Sequence, residues 1–85
     1  MSKVIFIYDG VQTIIQCLNE DKMKNICQKF SSKITTDINS LIFLYNGAMV
    51  NLELSFQNII NNLDKINNQM KILVYKNNQK RINLL

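Results

Sequence analysis

The segment Leu41-Ile42-Phe43-Leu44-Tyr45-Asn46-Gly47 constrains the fold more than any other part of the chain. Five consecutive large apolar residues run into Asn-Gly, a dipeptide that accepts positive φ and closes a tight hairpin. A strand apolar on both sides belongs in the middle of a sheet, under a covering layer. The sequence just upstream supplies that layer. Within residues 22–33, Met23, Ile26, Cys27 and Phe30 recur at i, i+3, i+4 and i+7, which is one stripe of an α-helix. Lys22, Lys24, Asn25, Gln28 and Lys29 fall on its other side. Asp21 is expected to cap this helix, accepting from the free N–H groups of the first turn.

The flanking segments extend the sheet. Residues 3–8 are β-branched and aromatic, which predicts a strand, and Asp9-Gly10 predicts a tight turn into a second strand over residues 11–18. Residues 35–40 form a polar connection, with Ile38 tucked under the helix end. After Gly47, residues 48–51 pair back as a short fourth strand. Leu54-Ser55-Phe56 followed by Ile59-Ile60 predicts a short helical turn plugging one end of the core, and residues 70–76 are the last strand. The order is β-β-α-β-β-(short helical turn)-β, an α+β fold with a mixed sheet wrapped on one central helix. The first and last strands are expected to be parallel neighbours in the middle. Strand alternation points Phe43 and Tyr45 into the core beneath Met23, Ile26 and Phe30, and turns Leu44 outward.

With 85 residues and 47% hydrophobic content, the chain holds one core. Residues 1–76 are expected to form that domain and residues 77–85 a basic, polar tail. The absence of His removes the commonest general base and metal ligand. Cys17 and Cys27 match no zinc spacing and are read as reduced core thiols of an intracellular protein, cytoplasmic or nuclear. No apolar run approaches the roughly 20 residues of a membrane span, and Met1-Ser2-Lys3 leads directly into strand-like sequence rather than a signal peptide. The carboxylates are scattered singly, and Gly10 and Gly47 are isolated turn glycines. The expectation is a protein that is not an enzyme, with no cofactor, no metal and no small-molecule substrate. The net charge of +4 comes from ten Lys and Arg against six Asp and Glu, and reads as ordinary solubility charge. A weaker alternative, a nucleic-acid binder using Lys71, Lys76, Lys80 and Arg81, has only Tyr75 interleaved for base stacking.

Two stretches carry a family resemblance. Lys22-Met23-Lys24-Asn25-Ile26-Cys27-Gln28-Lys29-Phe30 resembles the central helix of the SUMO branch of the ubiquitin-like proteins, and residues 37–47 resemble the loop and strand that follow it. The resemblance implies the ubiquitin-like β-grasp fold, clearest over residues 23–50 and weaker over residues 3–76. Members that are conjugated to lysines end in a flexible di-glycine. Here residues 81–85 are Arg-Ile-Asn-Leu-Leu, and no Gly follows Gly47. The resemblance therefore implies a non-conjugated domain, an adaptor that recognises a protein partner without a covalent bond. The alternative is a small structural subunit or N-terminal module of a larger assembly.

It also implies two surfaces. Aligned on Gly47, the ubiquitin sheet patch falls on Leu44, with Lys71 and Leu73 beside it on the last strand, a surface suited to a partner helix. The second surface is the SUMO-type groove between the second strand and the helix, which takes an extended peptide as an added strand. It is expected to be lined by Ile15, Cys17, Ile26 and Phe30, with Lys29 and Lys33 at its mouth. The family's basic residue in that strand is replaced here by Gln16.

Overall fold

Residues 1–77 are described by the computed structural model of the chain, and the fold below refers to them. Strands β1 (Ser2–Tyr8) and β2 (Val11–Cys17) form an antiparallel hairpin. Asp9 (φ 53) and Gly10 (φ 75) both take the left-handed conformation that a two-residue turn of this hand requires. Helix α1 (Met23–Lys33) follows, then a 3-10 turn over Ile38–Ser40. Strands β3 (Leu41–Tyr45) and β4 (Ala48–Met49) form a second hairpin, closed by Asn46 (φ 52) and Gly47 (φ 83). Two single-turn helices, α2 (Phe56–Ile59) and α3 (Asn62–Lys65), lead into β5 (Gln69–Lys76).

The sheet order is β2-β1-β5-β3-β4. β1 and β5 are parallel and central, and β3 runs antiparallel to β5. Hairpin, helix and parallel closure stand where the sequence placed them. β3 does not: expected in the middle of the sheet, it is fourth of five, between β5 and the two-residue β4, because the parallel pairing of β1 with β5 takes the centre. The second strand and the fourth strand are shorter than expected, and α3 was not anticipated.

One face of the sheet carries α1. Met23, Ile26, Cys27 and Phe30 of the helix stripe are fully buried, together with Val4 and Phe6 of β1 and Met70 and Ile72 of β5. At the centre Phe6 stacks on Phe30 with ring centroids 4.5 Å apart, and Phe43 meets both edge-on at 6.0 and 6.2 Å. Such pairings add to the burial of the rings themselves. Ile38 is half-buried against this core, and Phe43 and Tyr45 are buried, as the alternation predicts.

The start of α1 corrects the expected cap. Its N-cap is Lys22, without a side-chain hydrogen bond. The Met23 and Lys24 amides instead donate to the carbonyls of Leu54 (2.8 Å) and Leu52 (2.9 Å). Residues 51–57 lie against the helix start, and the Phe56 amide returns a bond to the Asp21 carbonyl at 2.9 Å. The helix amides are therefore already satisfied by main chain. The Asp21 carboxylate accepts from the Leu18 amide (2.9 Å), closing the turn that precedes the helix.

At the other end of the sheet Tyr45 ties α3 in place. Its hydroxyl donates to the Asp64 carboxylate and accepts from the Asn61 amide at 3.1 Å. Burial, foremost, pushes the Tyr45 phenol above its ordinary range.

Candidate functional site

The face of the sheet opposite α1 has no element packed on it among the described residues. Because side chains alternate along a strand, every second residue of each strand reaches this open face. From β1 these are Lys3, Ile5 and Ile7; from β5, Lys71, Leu73 and Tyr75; from β3, Ile42 and Leu44. The pairing registers align them from strand to strand. Met49, Leu44, Leu73 and Ile7 are direct partners in one row that crosses β4, β3, β5 and β1 and ends at Gln12 of β2. Neighbouring rows pair Ile42 with Tyr75, and Ile14 with Ile5 and Lys71. At about 4.8 Å per strand, the long row spans roughly 19 Å.

Leu44, Lys71 and Leu73, expected from the resemblance, are thus brought together. Leu44 and Leu73 are direct partners, and Lys71 is two residues from Leu73 on the same side. Leu73 is 41% exposed and Leu44 is half-buried. The sequence reading missed Ile5, Ile7, Ile14, Ile42, Met49 and Tyr75, which widen the patch. Met49 is 73% exposed. Pairing register alone would have found them, and register is a property of the folded sheet.

The charge on this face has one sign. The strands contribute Lys3 and Lys71 and no carboxylate, the nearest candidate being Asp9 in the β1–β2 turn. The apolar side chains of this face adjoin one another along the pairing registers instead of being scattered singly, with Gln12 and Gln16 of β2 at one margin.

The second expected surface is built differently from its description. Ile15, Cys17, Ile26 and Phe30 lie in the core at 5% exposure or less. They hold α1 onto the hairpin, so these four side chains are part of the core and not the surface lining expected of them. Lys29 and Lys33 are exposed on α1, and the Lys29 charge is felt at Cys17. β2 is the outermost strand on its side of the sheet.

Both cysteines are free and buried. Burial, with a smaller contribution from Asp21, raises the Cys17 thiol to about 11, and burial alone raises Cys27 to about 12. Thiols held this far above neutrality are protonated and poor nucleophiles. Among the described residues no group of three or more His, Cys, Asp or Glu could hold a metal ion, and no helix is long and apolar enough to cross a membrane. Of the residues in the nucleic-acid alternative, Lys71 is on the open face and Lys76 ends β5 beside Leu41, while Lys80 and Arg81 lie outside the described residues.

No protein-family model matches the chain, and no curated protein matches it. Solved structures do. A crystal structure of ATBAG1 in complex with HSP70 superposes with a TM-score of 0.74 at 10% identity, over 99% of this chain and 46% of that one. Caldiarchaeum subterraneum ubiquitin gives a TM-score of 0.72 at 8% identity, over 88% of this chain and 91% of its own. An Arabidopsis thaliana protein solved from sparse NMR data and evolutionary couplings gives 0.72 at 13% identity, over 88% of this chain and 84% of its own. The chain spans less than half of the ATBAG1 chain. At these identities the likeness concerns the fold, and the fold is the ubiquitin-like β-grasp.

Proposed function

We propose that this ubiquitin-like chain is a protein-interaction domain, an adaptor that recognises its partner without being conjugated to it. The observation that carries the reading is the open sheet face, where exposed Met49 and Leu73 and half-buried Leu44 and Ile7 form one apolar row with Lys71 beside it and no carboxylate on the strands. An apolar row rimmed by cations fits a partner segment with an apolar stripe and flanking acidic residues. A helix suits the geometry, since successive turns rise 5.4 Å and adjacent strands are about 4.8 Å apart. The structure of ATBAG1 in complex with HSP70 supports a protein partner as the kind of ligand. The protonated thiols and the absence of His support a role without catalysis.

The test is an NMR titration of the full chain with an acidic amphipathic helical peptide, a hydrophobic-acidic extended peptide and a short RNA. The helical peptide is expected to shift Leu44, Lys71, Leu73 and Ile7 together, and Leu73→Asp is expected to abolish those shifts without unfolding the protein. Silence of the open face towards both peptides at millimolar concentration would sink the reading.

A second reading, an extended peptide added to β2, is favoured by the place of β2 at the outside of the sheet and by Lys29 and Lys33 nearby. Its signature in the same titration is a shift of β2 amides with the open face unmoved. The reading as a module of a larger assembly draws on Leu63 and Ile66, both 77% exposed on and just after α3.

A further inference from the structure

A cleft of about 410 Å³ opens between the β3–β4 hairpin and the segment that carries α2. That volume is within the range, roughly 300–1,000 Å³, of sites that enclose a small ligand. Val50, Leu54 and Ile59 supply its aliphatic surface, and Asn46, Asn51, Asn58 and Asn61 its carboxamides. No Lys, Arg, Asp or Glu is among the described residues that line it. Tyr45 lines it too, but its hydroxyl is already committed to Asp64 and the Asn61 amide.

The edge of β4 adds a main-chain feature. Tyr45 pairs with Ala48 across the Asn46-Gly47 turn, and the Val50 amide donates to the Phe43 carbonyl at 3.0 Å. Ala48 and Val50 therefore direct their main-chain groups at β3, and Met49 between them directs its N–H and C=O away from it. β4 is the outermost strand on this side, so among the described residues that pair has no strand to bond. Met49 is itself one of the residues lining the cleft.

We propose that this cleft receives an extended, uncharged peptide segment with an aliphatic side chain, added as a strand along β4. A peptide residue opposite Met49 exchanges both main-chain hydrogen bonds with it. Its neighbours in the added strand turn to the other face, the one Val50 shares with Phe43, where the aliphatic surface of the cleft lies. The carboxamides set the polarity of the ligand. The Asn51 side-chain oxygen accepts from the Glu53 amide at 3.0 Å, and that of Asn61 from the Asp64 amide at 2.8 Å. Each is left with its NH2 group to offer, and peptide carbonyls are the matching acceptors. An ionised side chain is disfavoured, since it would lose water in a cleft whose lining holds no counter-charge. A second copy pairing β4 with β4 could make the same main-chain bonds. Beside its own Met49, however, it brings only Ala48 and a Val50 already packed on its own core. The aliphatic surface is on the α1 side of the sheet, so occupancy here is independent of a partner on the open face.

The test is an NMR titration of the full chain with the acetylated, amidated pentapeptide Ser-Thr-Leu-Thr-Ser. The amides of Met49 and Val50 and the side-chain NH2 groups of Asn51 and Asn61 are expected to shift together, with Ile7 and Leu73 unmoved. Replacing the peptide's Leu by Lys should weaken binding several-fold. N-methylating both of its Thr residues should do the same, because it removes the donor opposite Met49 in either register. In the protein, Leu54→Lys should also weaken binding several-fold while the core amides of Phe6 and Ile72 stay in place, since the Leu54 side chain is 41% exposed. Equal binding of the plain and N-methylated peptides would overturn the added strand, and unmoved Met49 and Asn51 at millimolar peptide would overturn the site. Met49 and Val50 shifts that grow with protein concentration alone would assign the edge to a second copy and overturn the proposal. Shifts centred on Ile7 and Leu73 would place the peptide on the open face, overturning the cleft while sparing the partner reading above.

Discussion

Cys27 has no exposed surface, and its thiol is raised from the ordinary 9.0 to about 12. The unfolded thiol therefore ionises first. Above pH 9.0 the unfolded chain binds fewer protons than the folded one, and stability falls until the folded thiol ionises near 12. Cys27 alone contributes a loss of up to about 1.4 kcal/mol per pH unit in that window. Urea unfolding of the parent and of Cys27→Ala between pH 8 and 11 should show a shallower decline in the variant; parallel curves would refute a titrating core thiol. Phe30 makes the other sharp prediction at this scale. It is fully buried and in ring contact with Phe6, Phe43 and Tyr8. Phe30→Ala should cost about 3–5 kcal/mol, a large part of the stability of a domain this small, as read from the denaturant midpoint. A loss below about 1 kcal/mol would mean that the stack is not the centre of the core.

Among the elements, α2 and α3 make a controlled pair. Each is one turn long, and each begins after a residue type that favours N-caps. Asn61 caps α3, its side chain accepting from the Asp64 amide at 2.8 Å, whereas Ser55 makes no cap bond and its buried hydroxyl has no partner. Asn61→Ala should destabilise by about 1 kcal/mol, and Ser55→Ala should be neutral to within a few tenths or slightly stabilising, because it removes an unpaired buried group. Equal losses in thermal melts would contradict this assignment of the caps. The elements differ too in how far the sequence revealed them. The α1 stripe and the Asp9-Gly10 and Asn46-Gly47 turns were legible because their signals are local, an i, i+3, i+4, i+7 spacing and a residue type that accepts positive φ. The capping of α1 by the carbonyls of Leu52 and Leu54 was not, because it joins segments some thirty residues apart. α3 was hidden because Leu63 and Ile66 are exposed and break any burial period. Leu44 could be placed outward from its neighbours in β3. The breadth of the open face could not be read, since residues 4–8 are apolar on both sides and alternation within them carries no contrast.

At the scale of the whole molecule, stability should grade from the centre of the sheet outward. β1 and β5 are buried between neighbours on both sides, while β4 is two residues long and at the edge. Amide hydrogen exchange should be slowest at Phe6 and Ile72, approaching the global unfolding free energy, and much faster at Met49 through local opening. Protection at Met49 equal to that at Phe6 would rule out this gradient. The grading has a counterpart in how the chain is made. Lys3 pairs with Gln69, so the central parallel ladder joins the first described strand of this domain to leave a ribosome with the last. Until β5 has cleared the exit tunnel, β1 has one neighbour instead of two, β3 lacks the strand that links it to the hairpin, and the underside of α1 faces an incomplete sheet. Synthesis of this domain therefore passes through a late interval with most of its apolar residues made and its sheet still split, the interval in which a nascent chain most needs protection from aggregation.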